Sequence, residues 1–138
     1  MKSFVVRVYF EDTDCGRIVY HTNYIKYCER ARSELFFTRG RLPVEGECGF
    51  VVKSLEAQFH LSARLGDMLE VRSRVLERGG ASLVLLQDIY RIYDALHSKE
   101  CEELLFSARI KLAYVNVLNS RPTRIPQAMW EVLGEGEL

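Results

Sequence analysis

The chain has 138 residues, 48% of them hydrophobic and 28% charged, a size and balance that fit one soluble domain spanning 1–138 with a core that needs no disulfide staples. Nineteen basic and nineteen acidic residues cancel to a formal net charge of zero, which argues against a nucleic-acid partner, since such proteins carry a basic excess or stripe. The four cysteines (Cys15, Cys28, Cys48, Cys101) form no C-x-x-C pair and only three histidines accompany them, so neither a zinc site nor a disulfide framework is expected.

Arg7 and Glu11 break the first apolar run. The N-terminus therefore reads as neither a secretion signal nor a membrane span, and a reducing cytoplasm is the expected location. Phe4, Val6, Val8 and Phe10 alternate with Val5, Arg7, Tyr9 and Glu11, which predicts a strand with its even face buried. A carboxylate-rich loop follows as far as about His21. From Asn23 to Arg39 the period changes: Tyr24, Cys28, Ala31 and Leu35 fall on one stripe, widened by Tyr27 and Phe36. This is the one long amphipathic helix. Thr22 or Asn23 is expected to cap its start, Gly40 to close it and Pro43 to stop it.

Strands follow. Val51, Leu55, Ala57, Phe59, Leu61 and Ala63 share a parity opposite to Ser54, Glu56, Gln58, His60 and Ser62, predicting a long strand with one wet face. Arg64–Asp67 reads as a turn. Leu69, Val71 and Val75 mark the next strand, and Gly79-Gly80 a hairpin. The run Leu83–Tyr93 is apolar on both parities, which predicts cover by the core on one side and a partner on the other. After a turn at His97–Lys99, Phe106 to Tyr114 alternate again. A short closing helix begins at Pro126. Short connections among the last four strands predict antiparallel neighbours. The fold class is thus α+β, a five-stranded antiparallel sheet against one long helix.

The unusual chemistry lies in Tyr9–Tyr27, where Glu11, Asp12, Asp14, Cys15, Gly16, His21 and Asn23 crowd between strand and helix. A calcium loop fails on spacing, because Gly16 takes the third ligand position and Arg17 the glycine position. An aspartyl-phosphate enzyme lacks its βαβ pattern. A carboxylate ahead of a helix N-terminus can, however, activate water or attack a carbonyl carbon while backbone N–H groups hold the oxyanion. Cys15 with His21 as base is a rival nucleophile. His60 and His97 read as solvated, and Arg78 as a lone exposed arginine within reach of a ligand phosphate.

The run D-T-D-C-G-R-I-V-Y-H-T-N-Y, followed by Y-C-E-R-A-R, resembles the hotdog-fold acyl-CoA thioesterases, nearest the 4-hydroxybenzoyl-CoA thioesterase-like branch and its Tol-Pal-associated short acyl-CoA thioesterases. The resemblance runs through nearly the whole chain, as far as Ile125-Pro126. It implies a sheet wrapped around the helix and hydrolysis of acyl-CoA, or acyl-carrier-protein, thioesters in lipid metabolism without metal or organic cofactor. Asp14 would be general base or nucleophile, and the His21 backbone N–H would polarise the carbonyl. Tyr20, Asn23 and Tyr24 would set the loop and acyl pocket, and Ser82 would meet the site across a subunit interface of a homodimer or homotetramer. The family commonly has glycine where this chain has Arg17, which implies a looser turn or an arginine facing the ligand. Its phosphate-gripping basic cluster ahead of the Ser82 position is poorly matched by Arg78-Gly79-Gly80-Ala81. A non-catalytic acyl-binding scaffold is the other reading. A hotdog dehydratase is disfavoured because the predicted helix carries no histidine.

Overall fold

The computed structural model describes residues 2–134. In chain order they form β1 (Lys2–Arg7), a 3-10 turn (Phe10–Asp12), α1 (His21–Phe37), β2 (Val44–Glu45), β3 (Cys48–Phe59), β4 (Met68–Arg78), β5 (Ser82–Asp94), β6 (Lys99–Asn116), β7 (Arg121–Pro122) and α2 (Gln127–Leu133). One antiparallel sheet runs β1-β4-β5-β6-β3-β2, with β7 beside β6. Five strands are long, as expected; β2 and β7 are two-residue additions.

Helix α1 buries Tyr24, Tyr27, Cys28, Ala31 and Phe36 in a core shared with Leu69, Val71, Leu85, Ile89 and Ile110. This is the stripe that its 3.6-residue period predicts. A polar pin passes through that core. The buried Gln87 amide donates to the Cys28 carbonyl at 3.0 Å and to Ser73 Oγ at 2.9 Å, while its oxygen accepts from Arg32. Gly40 closes the helix with φ +69°, a backbone state that a Cβ disfavours.

Several expectations are corrected. β1 ends at Arg7, and Phe10 is 79% exposed. The chain leaves the sheet there because Val8 exchanges backbone bonds with the 66–67 turn, donating to the Asp67 carbonyl and accepting the Gly66 N–H, and Asp12 accepts the Tyr9 N–H. Helix α1 starts at His21, with Tyr20 at its cap position and no side chain capping it. Neither Thr22 nor Asn23 serves, since both lie inside the first turn. β3 and β4 are not neighbours: β3 pairs with β6, and the link between them crosses the end of the sheet. β3 also lacks a dry face. Its alternation slips between Val52 and Ser54, and Val51, Val52 and Phe59 stay 37%, 50% and 52% exposed, because on the side away from β6 it has only β2 beside it among the described residues, at Cys48 and Gly49. From Phe50 to Phe59 its outer edge has no strand among the described residues.

β5 buries Leu83, Leu85, Gln87, Ile89 and Arg91 on one face and half-buries Val84, Leu86, Asp88, Tyr90 and Ile92 on the other. Part of the outer cover is the Arg72 guanidinium, 3.9 Å from the Tyr90 ring centroid.

Candidate active site

Asp14 sits at the start of a tight hairpin formed by residues 14–18. Its N–H bonds the Ile18 carbonyl at 2.9 Å and its carbonyl accepts the Arg17 N–H at 3.0 Å. Arg17 takes φ +67°, the left-handed conformation in which glycine is usual. The turn is therefore as tight with arginine as with glycine, which corrects the expectation of looser geometry. The Asp14 carboxylate is exposed, and its Oδ1 accepts the Gly16 N–H at 2.7 Å. One oxygen is thereby oriented by the loop.

Behind the hairpin, Val19 N–H donates to the Ala63 carbonyl and Tyr20 N–H to the Asp12 carbonyl, both at 2.9 Å. Isolated bridges Thr13–Val19 and Ile18–Arg64 complete the brace. The link between β3 and β4 thus crosses over to hold the loop from outside.

The chain then turns directly into α1. An α-helix leaves its first N–H groups without intrahelical acceptors. Here the Asn23 N–H is taken by the Tyr20 carbonyl at 2.8 Å and no side chain caps the end. The N–H groups of His21 and Thr22 point outward at the positive end of the helix dipole. The arrangement suits an oxygen that gains negative charge.

A cleft of about 310 Å³ joins these parts, lined by Asp14, Val19, His21, Tyr24, Phe59 and His60 among others. The Tyr24 ring forms its floor, stacked on Phe106 with centroids 5.3 Å apart and edge-on to Phe59 at 5.8 Å. Its hydroxyl accepts the Ala63 N–H at 2.9 Å, and burial pushes its pKa up. The result is a wet carboxylate and a helix end over an aromatic floor.

The structure brings together Asp14, His21 and Tyr24. Tyr20 is half exposed, its ring 4.7 Å from the His21 ring at the rim. Asn23 is buried below the loop, where Nδ2 donates to Asp12 Oδ1 at 2.9 Å. Tyr27 lies under both, its hydroxyl pushed well above the ordinary tyrosine range by burial and then by the Asp12 charge. Asn23 and Asp12 are thus loop supports and do not line the cleft. Ser82 is not in this cleft. It opens β5 opposite Ala113, whereas Ile89, opposite Phe106, is seven residues further on, roughly 23 Å of strand.

His60 lines the cleft although it reads as an ordinary solvated strand residue; the link beyond β3 delivers it, and no local pattern announces that. His21 does open the helix, so the premise used against a dehydratase fails. Cys15 is exposed on the hairpin and does not line the cleft. No group of three metal-ligating side chains occurs among the described residues, and no described helix is long and apolar enough to cross a membrane.

Comparison with known proteins bears on the family and the fold. A family model described as thioesterase superfamily matches residues 16–96. The chain is 43% identical over 127 residues to the acyl-CoA thioesterase YbgC of Helicobacter pylori, covering 92% of this chain and 96% of that protein. It is 36% identical over 128 residues to the acyl-CoA thioester hydrolase YbgC of Escherichia coli O157:H7, covering 90% and 89%. Among solved structures, a probable thioesterase from Bartonella henselae superposes with a TM-score of 0.73 at 31% identity, over 90% of this chain and 96% of that one. A 1,4-dihydroxy-2-naphthoyl-CoA thioesterase from Synechocystis shares the fold, with a TM-score of 0.80 at 17% identity over 96% and 94%. By family match and by fold alike, this chain belongs to the thioesterase superfamily as a hotdog-fold member.

Proposed function

We propose that the chain hydrolyses acyl-CoA thioesters at Asp14. Water adds to the thioester carbonyl carbon, the C–S bond breaks, and free acid and CoA thiol leave. The observation that carries this reading is the exposed Asp14 carboxylate sharing a cleft with the uncapped start of α1. Asp14 takes the proton of the attacking water, or attacks the carbonyl itself to give a mixed anhydride that water then opens. The His21 N–H stabilises the oxyanion in either route. Tyr24 and Phe59 supply the apolar floor beside the reacting carbon, and Tyr20 borders it. The activity printed for the relatives from Helicobacter pylori and Escherichia coli supports acyl-CoA as substrate class. Neither a metal nor an organic cofactor enters this chemistry.

A homodimer joined through the open edge of β3 completes the reading. Antiparallel self-pairing about Leu55, with Lys53 left out as the bulged residue, sets Phe59 opposite the partner's Phe50. Core-facing residues then meet core-facing residues, as a continuous sheet requires. Beside Phe50 lies an apolar chamber of about 270 Å³, lined by Phe36, Val52, Leu85, Leu112 and Leu133 among others. It would receive the acyl chain from the other subunit's Asp14. Further pairing into a tetramer is compatible with the half-buried outer face of β5. Four free thiols, one of them the exposed Cys15, favour a reducing cytoplasm. A single domain over 1–138 with a place in lipid metabolism fits this chemistry.

The test is thiol release across a panel of acyl-CoA and acyl-carrier-protein thioesters, with Asp14→Ala and Cys15→Ser beside the parent. Asp14→Ala should lose about 10²–10⁴-fold in turnover while remaining a folded oligomer, and Cys15→Ser should stay near the parent. Full turnover in folded Asp14→Ala overturns the assignment. Tight acyl-CoA binding by the parent with no thiol released would instead establish the acyl-binding scaffold.

A further inference from the structure

Glu29, Arg32, Ser33 and Phe36 are spaced three and four residues apart on α1, and together they form the helix side of the apolar chamber beside Phe50. Every residue of the lining off the helix is apolar, Val52, Leu85 and Leu112 among them. The Arg32 guanidinium is fixed from the core side. Its Nη1 donates to Gln87 Oε1 at 2.9 Å, and Gln87 is itself fully buried, its amide bound to the Cys28 carbonyl and to Ser73 Oγ. A guanidinium carries five N–H donors, so most of its capacity is unspent. No carboxylate lies within 4.0 Å of Arg32 among the described residues, whereas Arg64, Arg72, Arg91 and Arg109 each have one. Glu29, one turn back, is exposed and takes the Ser33 hydroxyl at 2.9 Å instead. Burial pushes the Arg32 pKa below the ordinary arginine value, the mark of a cation short of counter-charge. An oriented, unpaired guanidinium at one wall of a hydrocarbon chamber is complementary to a short chain that ends in a carboxylate.

We propose that Arg32 is a specificity-determining residue, and that the acyl group the chain prefers carries a second carboxylate at its far end. The substrate class is then the mono-CoA thioester of a short dicarboxylic acid. This rests on the thioesterase reading and on the chamber as the acyl site, and it adds what the chamber selects. The methylenes lie along Val52, Leu85 and Leu112, and the terminal carboxylate accepts from guanidinium N–H groups that Gln87 leaves unused. A chamber of about 270 Å³, against ~30 Å³ for one water, limits the chain to a handful of carbons. A plain fatty acyl group of equal length fills the same space but leaves the cation without its partner. A site built to hydrogen-bond one group rejects analogues lacking it far more strongly than a pocket resolves one methylene. The remote carboxylate takes no part in bond making, so hydrolysis at the thioester end is unchanged.

Binding is read first, on the full chain and without turnover. Hexanoate, a carboxylate on a short hydrocarbon tail, should raise the melting temperature saturably and by more than hexan-1-ol does at the same concentration. Arg32→Met should abolish that difference and Arg32→Lys should keep part of it. Arg32→Gln, neutral but still a donor to Gln87, gives the same answer where the methionine variant does not fold. A parent protein that responds alike to acid and alcohol, or a neutral variant that keeps the parent's difference, overturns the anion site. If no thiol is released from any thioester, the thioesterase reading falls while this measurement still decides the anion site.

In turnover, thioesters from glutaryl-CoA to suberyl-CoA are compared with isosteres whose terminal carboxylate is replaced by isopropyl, such as 5-methylhexanoyl-CoA for glutaryl-CoA. At least one dicarboxylic thioester should exceed its isostere tenfold or more in kcat/KM, chiefly through KM. Arg32→Met should reverse the order within that pair, and Arg32→Lys should restore part of it. A parent that favours the isopropyl end in every pair overturns the proposal. So does an Arg32→Met variant that loses equally on both members of a pair, which marks mere structural damage. A terminal hydroxyl, as in 5-hydroxypentanoyl-CoA, should rank below the carboxylate; equal turnover of the two would show that Arg32 reads polarity and not charge, and overturns the dicarboxylic class.

Discussion

The Asn23 side-chain amide donates to the Asp12 carboxylate at 2.9 Å, and this bond ties the first turn of α1 to the loop two residues before Asp14. The other Asp12 oxygen accepts the Tyr9 N–H at 2.9 Å, so one buried carboxylate gathers the end of the first strand, the loop and the helix. Asn23→Ala leaves a buried carboxylate short of a donor and should cost about 1–3 kcal/mol. Turnover should fall as well, although Asn23 does not line the cleft, because Asp14 and the helix end lose their common reference. Urea unfolding together with thiol release checks both. A variant that keeps full turnover would reduce Asn23 to a stability residue.

Arg17 pays for its turn with a left-handed backbone. Arg17→Gly should relieve a strain of about 1–2 kcal/mol and return part of that through the freer unfolded chain, a net gain of about 0.5–1 kcal/mol. Arg17→Val should be destabilising, since a β-branched residue is least tolerant of positive φ. Melting temperatures of the two variants against the parent provide the comparison, and the opposite order would show that the arginine side chain outweighs its backbone.

The Asp94 carboxyl is held down to about 2, first by the hydrogen bond from the His97 ring at 2.9 Å and further by the His97 backbone N–H and the Arg64 charge. Its folded pKa is below the unfolded value of about 3.9. Its contribution to stability is therefore complete above pH ~4 and lost as pH falls towards 2. His97→Ala should move the Asp94 titration upward and shift acid unfolding to higher pH. Carboxyl NMR titration and the acid-unfolding midpoint read the two effects. An unmoved Asp94 titration would remove His97 from this role.

Arg91 and Asp67 form a buried ion pair at 2.8 Å, with Asp67 fully enclosed. Asp67 also accepts the Arg64 and Ala95 N–H groups, and Arg91 donates to the Ser62 carbonyl. The pair therefore holds the 62–67 segment that braces the Asp14 hairpin. Arg91→Met alone strands the Asp67 charge and should cost about 3–5 kcal/mol. Arg91→Met/Asp67→Asn should cost clearly less. A double-mutant cycle by denaturant unfolding measures the coupling, and additive losses would refute it.

Much of this molecule is legible residue by residue. The stripe from Tyr24 to Phe36 announces the helix, and a carboxylate a few residues ahead of it marks the candidate site, because both depend only on short-range geometry. What stays hidden is long-range. Nothing within Cys48–Phe59 shows that its partner is β6 and not the next strand, so the bare edge of β3 could not be read. The wet face assigned to Ser54–Ser62 is right for those residues, but Phe59 and Val51 on the other parity are wet as well. Arg78 reads as solitary until the fold sets Arg124 over the neighbouring glycine. His60 enters the cleft only because the link after β3 doubles back over the hairpin. The helix start resists reading for another reason: residues that look like caps, Thr22 and Asn23, sit two and three residues past the cap position at Tyr20.

The bare edge of β3 also bears on the life of a newly made chain. Among the described residues no strand takes up the backbone donors and acceptors of the outer edge from Phe50 to Phe59, beside the exposed side chains of Val51, Val52 and Phe59; in the dimer proposed above, that edge stays open until a second copy arrives. Such an edge accepts any extended peptide of suitable polarity. At the low concentrations that follow synthesis, its competitors are other unfinished chains, and the outcome of that competition is insoluble protein. Lys53 and Glu56 are exposed charges on the same strand, the kind of side chain that discourages indiscriminate strand pairing. Replacing both with valine should leave the mature assembly intact while lowering the soluble yield of its synthesis.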